Sequence, residues 1–291
     1  MLFRRRARLT LPQSAALATV LRAPTFELVP LKNALDEAAF LPAAATVSVT
    51  ASPAKGIEAT IALCEQLQAL GFRAVPHLSA RMIRDRAHLA ELIAWMEGAG
   101  VDRAFVVGGD AKEPGDFSDG LSLLREMAEI GHPLSEIGIP CYPQGHAFIA
   151  DAPLLDALRA KAAFASYMTT QLCFDPVAIR VWLSARREEG ITLPVHVGLP
   201  GVAEPQRLLA ISARIGVADT HRFLVKNTQF IARLIRSGGF YRPDGLLEGL
   251  APVVADPASG IVDLHLYTFN AVGVTERWRR AFLDKLDPQA T

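Results

Sequence analysis

The sequence is poor in cysteine, in long apolar runs and in excess charge of either sign, and each shortage excludes a class of protein. Its three cysteines are odd in number and show no Cys-x-x-Cys spacing, which argues against a disulfide framework and a zinc knuckle. No apolar run approaches the ~18–20 residues that a membrane span requires. Because 30 basic residues balance 30 acidic ones, no global field attracts nucleic acid or an anionic membrane. We therefore expect a cytoplasmic protein whose partner is a small molecule.

The main signal along the chain is an alternation of short β-branched or aromatic runs with longer segments of helical period. It predicts eight strands, at Phe26–Pro30, Thr46–Thr50, Arg73–Ser79, Arg103–Gly109, Ile137–Tyr142, Ser166–Phe174, Leu193–Leu199 and Val262–Phe269. The predicted helices are Lys32–Phe40, Ile57–Leu70, Asp85–Gly98, Asp119–Ile130, Ala152–Ala163, Pro176–Glu189, Pro205–Ile215 and Thr220–Ser237, with 238–256 looser. Eight strand–helix units in 291 residues favour an α/β fold closed as a single (β/α)8 TIM barrel.

The N-terminal segment places several arginines ahead of an apolar stretch and superficially resembles a signal peptide. Gln13 and Ser14 delay the apolar stretch, and Arg22 ends it shortly before a predicted strand. These interruptions favour a basic, partly helical leader over residues 1–24 that covers the bottom of the barrel, with export as the alternative. Since no linker or repeat divides the chain, one domain is predicted over residues 1–291.

Polar residues collect at the C-terminal ends of the predicted strands, which is where this fold places its reactive side chains. The set comprises Glu27, Thr50, His77, Asp110, Tyr142, His146, Gln171, His196, Thr268 and Asn270. An unpaired polar side chain in an apolar strand costs on the order of a few kcal/mol, so a ring of them at one end predicts a site.

Glu27 is the sharpest candidate, because apolar neighbours and Pro30 flank it on one short strand. An apolar environment favours the protonated carboxyl, which is the form that a general acid requires. The alternative is a carboxylate paired with an arginine at the barrel rim.

Three other strand ends carry candidate site residues, and each of these residues also has an ordinary structural explanation. Asp110 follows a double glycine that lets a ligand or backbone come close, or it is a turn or N-cap aspartate. Tyr142 and His146 share a loop stiffened by proline and glycine, which suits a planar ligand or is a plain turn. Gln171 offers an amide that can recognise a heterocycle, or it bonds to a neighbouring strand.

Several of these short motifs occur in the order found in one known family. They are Phe26-Glu-Leu-Val-Pro30, Val47-Ser-Val-Thr50, Pro76-His-Leu-Ser79, Gly109-Asp110, Tyr142-Pro-Gln-Gly-His146, Thr170-Gln171 with Phe174-Asp175, and His265-Leu-Tyr-Thr-Phe-Asn270. Together they resemble the signature of the methylenetetrahydrofolate reductases. The resemblance implies a (β/α)8 barrel with FAD at its mouth. It also implies an oxidoreductase that reduces methylenetetrahydrofolate to methyltetrahydrofolate with NADH or NADPH.

The resemblance also assigns roles to individual residues. Glu27 matches the acid that protonates the bridging folate nitrogen, and Asp110 matches an aspartate that stabilises the cationic iminium. Gln171 and Gln206 match contacts to the folate substrate. The residues that match FAD-binding positions are Thr50, His77, Tyr142, His146 and Lys161.

Departures from the family pattern leave other functions open. Gly108 replaces an arginine that would serve the flavin, which allows direct hydride transfer from NADH without FAD. A folate-dependent methyltransferase and a non-catalytic folate-binding barrel are further alternatives. A metal-dependent hydrolase would need several histidines to converge, such as His77, His146, His196 and His265, and no metal site is predicted. The sequence has no Gly-x-Gly-x-x-Gly fingerprint to separate NADH from NADPH, and it is compatible with a homo-oligomer.

Overall fold

The computed structural model describes residues 9–146, 148–204, 206, 208 and 239–286. It confirms the predicted fold, since eight parallel strands close into one barrel in sequence order. The strands are β1 (Thr25–Leu28), β2 (Thr46–Val49), β3 (Arg73–Ser79), β4 (Arg103–Val107), β5 (Glu136–Cys141), β6 (Tyr167–Thr170), β7 (Val195–Pro200) and β8 (Ile261–Tyr267). β1 closes the barrel by pairing with both β2 and β8, so that Glu27 lies opposite Ser48 on one side and Tyr267 on the other.

Helices follow most of the strands and cover the outside of the barrel. Within the described ranges they are α1 (Leu11–Arg22), α2 (Ala34–Ala38), α3 (Ile57–Ala69), α4 (Arg86–Gly98), α5 (Gly120–Ile130), α6 (Asp151–Ala162), α7 (Pro176–Glu188), α8 (Asp244–Val254) and α9 (Val272–Leu286). Capping residues in the sequence explain where several of these helices begin. Asp119 accepts hydrogen bonds from the first amides of α5, and Asp175 does so for α7, where Pro176 occupies the first turn.

The two faces of each strand carry different chemistry. The helix-facing residues are apolar and buried, as with Phe26, Val47 and Ile139. Alternate residues point into the lumen, and contacts across it identify them: the ring centroid of Phe105 on β4 lies 6.4 Å from that of His265 on β8. Barrels of this type usually fill the lumen with branched aliphatic side chains. Here the lumen is polar and aromatic, and this difference places the candidate site.

The N-terminal helix is held to the barrel by a buried ion pair. In α9, Arg279 forms two hydrogen bonds with Glu276, at 2.6 and 2.8 Å. The same guanidinium donates to the carbonyls of Leu21 and Arg22 at the end of α1. The helical part of the predicted leader is therefore a packed element that contacts α8, α9 and β8.

Some predicted boundaries differ from the structure. The prediction carried the sixth strand to Phe174, but β6 ends at Thr170 because the side chain of Gln171 accepts from the amide of Leu172 and the chain leaves the sheet. The segment predicted to be loose contains α8. The predicted helix Thr220–Ser237 and all but two residues of Pro205–Ile215 lie outside the described residues. In the described ranges, no helix combines the length and the apolar character needed to cross a bilayer.

Candidate active site in the barrel lumen

Glu27 lies in the lumen near its mouth and is bracketed by two histidines. Its Oε2 atom is 3.2 Å from Nε2 of His265 and 3.8 Å from Nε2 of His77. The Glu27 side chain is 13% exposed, whereas the two imidazoles are 4% and 10% exposed. All three side chains are therefore largely enclosed, and Glu27 is the most exposed of them. The partner of Glu27 is imidazole and not the rim arginine of the sequence-based alternative.

A serine on the neighbouring strand completes the arrangement. Oγ of Ser48 lies 2.7 Å from Nε2 of His77, the same nitrogen that faces Glu27. Burial lowers the pKa of His77 to about 4, against an opposing effect of the nearby Glu27. At neutral pH, His77 is thus a neutral ring that can take part in hydrogen bonds without adding charge to the lumen.

Aromatic rings pack against both histidines of this cluster. Phe105 lies 4.9 Å from His77 between ring centroids, and Tyr267 lies 4.9 Å from His265. The hydroxyl of Tyr267 donates to the carbonyl of Thr170 at 2.9 Å, which fixes its ring across the lumen. These rings restrict the imidazoles to a narrow range of positions.

The end of β8 holds the backbone on both sides of Glu27. Thr268 Oγ1 donates to the Glu27 carbonyl at 2.6 Å. Asn270 accepts from the amide of Val29 and donates to its carbonyl, at 2.8 and 2.9 Å. Phe269 and Asn270 both adopt positive φ angles, of 52° and 55°, which is uncommon for residues other than glycine. Thr268 and Asn270, which the sequence predicted as site residues, therefore hold in place the strand that carries Glu27.

Four of the predicted residues lie on the rim above Glu27. Thr50 and Gln171 directly follow β2 and β6, and both are half-buried. Tyr142 directly follows β5, and its ring packs edge-on against His146 with centroids 5.3 Å apart. The rigid Tyr–His loop that the sequence predicted is therefore present, and Gln171 bonds to its own chain through its carbonyl oxygen.

Asp110 does not join the cluster. It is exposed on the loop after β4, and within the described part of the chain it forms no hydrogen bond or ion pair with Glu27. The preceding glycine is needed for a structural reason, because a Cβ on Gly109 would lie 1.9 Å from Oγ of Ser79 and its φ is +85°. Gly109 thus accommodates a serine of the preceding strand, β3.

Two further predicted residues lie away from the lumen. Lys161 is on α6, near the thiol of Cys141 on the helix-facing side of β5 and near Asp119. Gln206 is exposed and helical, between residues outside the described ranges. Neither position brings its side chain to Glu27 in the described structure.

The histidines do not form the metal centre of the hydrolase alternative. Among the described residues, no group of three or more His, Cys, Asp or Glu side chains has a metal-binding arrangement. His146 belongs to the rim loop, and His196 stacks on Tyr167 with centroids 4.0 Å apart.

No family model matches this chain. Similar solved structures include a protein assigned as a lyase/mutase from Burkholderia cenocepacia J2315, at 15% identity and TM-score 0.44, covering 97% of this chain and 88% of that one. Another, assigned as a phosphonomutase from the same organism, has 16% identity and TM-score 0.42, covering 77% and 99%. A monomeric dihydrodipicolinate synthase variant has 12% identity and TM-score 0.40, covering 75% and 81%. Similarity this low carries no assignment of activity to the chain.

These comparisons contradict the resemblance to the methylenetetrahydrofolate reductases. No model of that family matches, and the three structures are of a lyase/mutase, a phosphonomutase and a synthase. The predicted reduction of methylenetetrahydrofolate and the predicted oxidoreductase class are therefore wrong. The motifs have a physical explanation in the barrel itself, since Asn270, Thr268 and Gly109 all serve its backbone. Binding of FAD or a nicotinamide stays a prediction.

Sequence reasoning missed most of the lumen. Asp263 was not named, Ser48 and Tyr267 appeared only inside the family motifs, and the single role weighed for His265 was that of a metal ligand. A signal was present, because Asp263, His265 and Tyr267 alternate with apolar residues on one predicted strand, so that all three point to the same face. Treating the inward face as apolar concealed them.

Proposed function

We propose that this protein is an enzyme that transfers a proton to or from a small molecule bound at the barrel mouth, in an elimination, addition or isomerisation reaction. Glu27 is the proton-carrying group, and its place between His265 and His77 is the observation that supports this role. Cys64, Cys141 and Cys173 are buried and in the thiol form, which fits a reducing compartment such as the cytoplasm.

The two imidazoles give Glu27 its chemical character. When it is ionised, the Glu27 carboxylate can accept a hydrogen bond from the ring nitrogen 3.2 Å away, and once it has taken a proton from a substrate C–H bond it can donate that proton back as an acid. Because His77 is neutral at ordinary pH, it does not trap Glu27 permanently as an ion pair. Glu27 can therefore alternate between its two protonation states during a reaction.

The rim residues are proposed to hold the substrate. Thr50, Tyr142 and Gln171 directly follow their strands on the side of the lumen from which Glu27 is reached. They present hydroxyl and amide groups, which can orient a polar molecule without adding charge. The substrate thus lies above the carboxylate, as barrels of this type arrange their reactions.

Two other mechanisms fit the geometry less well. A nucleophilic serine needs a histidine whose second nitrogen is oriented by a carboxylate, whereas Ser48 and Glu27 both face Nε2 of His77. A Schiff base needs a lysine in the lumen. Lys161, the lysine predicted as a site residue, lies on helix α6. Acid–base catalysis by Glu27 requires neither group.

The test is exchange of substrate hydrogen with solvent. A panel of small carbonyl compounds and imines is incubated with the protein in deuterated water, and loss of C–H signals is followed by proton NMR. Glu27→Gln should lower the exchange rate of any responsive compound by roughly 100-fold to 10,000-fold, since that is the usual contribution of a general acid or base. Glu58→Gln, at an exposed position in the first turn of α3, is the matched control and should exchange at the wild-type rate. Equal rates for wild type and Glu27→Gln would refute the proposal.

A further inference from the structure

Polar side chains continue below Glu27 toward the bottom of the barrel. Asp263 precedes His265 by two residues on β8, so both side chains face the lumen. Thr25 Oγ1 donates to Oδ2 of Asp263 at 2.9 Å, and Nδ1 of His196 lies 3.7 Å from the same oxygen. A second carboxylate thus lies on the same inner wall as the His265–Glu27 pair.

The column of polar groups opens to solvent at its lower end. Nη2 of Arg103 on β4 lies 3.1 Å from Oε1 of Glu136, the first residue of β5. The Glu136 side chain is 38% exposed and that of Arg103 is 24% exposed. Charged groups therefore extend from the mouth of the barrel to its opposite end.

Several buried polar atoms in this column form no hydrogen bond with the protein. Among the described residues they include Nδ1 of His196, Nε of Arg103 and Oγ1 of Thr169, all on lumen-facing positions. An unpaired buried polar group costs about 1–3 kcal/mol, so such groups in native proteins are normally satisfied by ordered water. The 3.7 Å separation between His196 and Asp263 is too long for a direct hydrogen bond and is compatible with a bridging water.

We propose that Asp263 is a second acid–base group of the barrel, which exchanges a proton with Glu27 through His265 and ordered water in the lumen. The inference rests on the proposed function of Glu27. After Glu27 has protonated a substrate, the O–H bond of Asp263 breaks and its proton passes through water to one ring nitrogen of His265. The proton on Nε2 of His265 then moves to Oε2 of Glu27. His265 ends as the other neutral tautomer, and Asp263 regains a proton from solvent past Arg103 and Glu136.

The electrostatics of the column support this exchange. Burial raises the pKa of Asp263 to about 6, against the hydrogen bond from Thr25, so it gains and loses a proton close to neutral pH. The titratable groups that face it are Tyr167 on β6, His196 on β7 and His265 on β8. Burial, with His265 nearby, lowers the pKa of His196 to about 3. His196 is therefore neutral while Asp263 titrates.

Nitrogen-15 NMR of the histidine rings tests the coupling without a substrate. The ring signals of His196 and His265 are followed from about pH 5 to about pH 8 in the wild type and three variants. In the wild type both should show an inflection near pH 6, the pKa of Asp263. Asp263→Asn should abolish it while keeping an acceptor for Thr25. Asp156→Asn, whose carboxylate on α6 is 76% exposed, is the control and should retain the inflection.

The outcomes separate this inference from the function of Glu27. If Asp263→Asn leaves the inflection unchanged, the proton exchange is refuted, while a shift of the His265 ring signals in Glu27→Gln would still support the Glu27–His265 pair. If Asp263→Asn removes the inflection and Glu27→Gln leaves His265 unaltered, the pair itself is refuted and the exchange with it. Should Asp263→Asn fail to fold, a high-resolution crystal structure of the wild type decides. Ordered water that links the Asp263 carboxyl to a ring nitrogen of His265 supports the path, and the absence of such water refutes it.

Discussion

The buried histidines of the lumen should make the protein unstable in mild acid. Burial lowers the pKa of His77 to about 4 and that of His196 to about 3, against an ordinary value of 6.5. Because both folded values are depressed, their contribution to stability is present above pH 6.5 and is lost as the pH falls toward the folded values. The unfolded chain binds protons in this window and the folded chain does not.

The size of this loss of stability depends on how far the pH lies below the ordinary histidine pKa of 6.5. At about pH 5, each histidine in the unfolded chain lies roughly 1.5 units below its pKa, which at about 1.4 kcal/mol per unit is a loss of about 2 kcal/mol. Asp263 acts in the opposite direction, because its raised pKa lets the folded state take up a proton first. Its protonation stabilises the folded state by about 1 kcal/mol. The net loss in the free energy of unfolding between about pH 8 and about pH 5 is therefore roughly 3 kcal/mol.

Denaturant unfolding at a series of pH values measures this loss, and His196→Gln isolates one histidine. The variant should lose about 2 kcal/mol less than the wild type over the same pH range, whatever its stability at pH 8. Arg277→Gln, exposed on α9, introduces the same residue in place of a side chain that stays charged throughout this pH range, and it should follow the wild-type slope. If the free energy of unfolding of His196→Gln falls with pH as steeply as that of the wild type, the histidine is not held neutral in the lumen and the reasoning fails.

Three further predictions concern the scaffold. Burial raises the pKa of the Cys64 and Cys141 thiols, so a thiol reagent should label neither in the folded protein and both in denaturant; labelling of native protein would contradict their burial. Arg279→Ala should lower the free energy of unfolding by about 3 kcal/mol because it removes the two hydrogen bonds to buried Glu276, which keeps only Arg280, and those to the end of α1, whereas Arg277→Ala, exposed on the same helix, should change it little. Gly109→Ala should cost about 2 kcal/mol in a thermal or denaturant melt through its positive φ and the contact with Ser79, and an unchanged stability would show that the loop relaxes.

The barrel could be predicted from the sequence because its signal is local and repeated. The predicted bounds of the third strand, Arg73–Ser79, are those of β3, because the strand lies between two clear helical segments. The sixth strand was overextended because the side chain of Gln171, and no turn residue, ends the pairing. Such a termination depends on one hydrogen bond that no periodicity reveals.

The candidate site could be predicted only in part, because its partners meet across the barrel. Glu27 and His77 were identified from their places at strand ends, and the structure brings them within 3.8 Å. The closer partner, His265, lies 238 residues away in sequence, and only closure of the barrel makes it a neighbour. Asp110 was paired with Glu27 by resemblance, yet its side chain lies on an exposed loop. The sequence therefore indicated at which end of the barrel the site lies, but not which of its side chains are in contact.

The measurement that tests the account most directly compares Glu27→Gln with Glu27→Asp in deuterium exchange of a responsive compound. Aspartate can still carry a proton although it is one methylene shorter, and glutamine keeps the shape but cannot. We predict that Glu27→Asp retains measurable exchange while Glu27→Gln is slower than wild type by roughly 100-fold or more. If Glu27→Gln exchanges as fast as Glu27→Asp, the carboxylate between the two histidines is not the group that moves the proton.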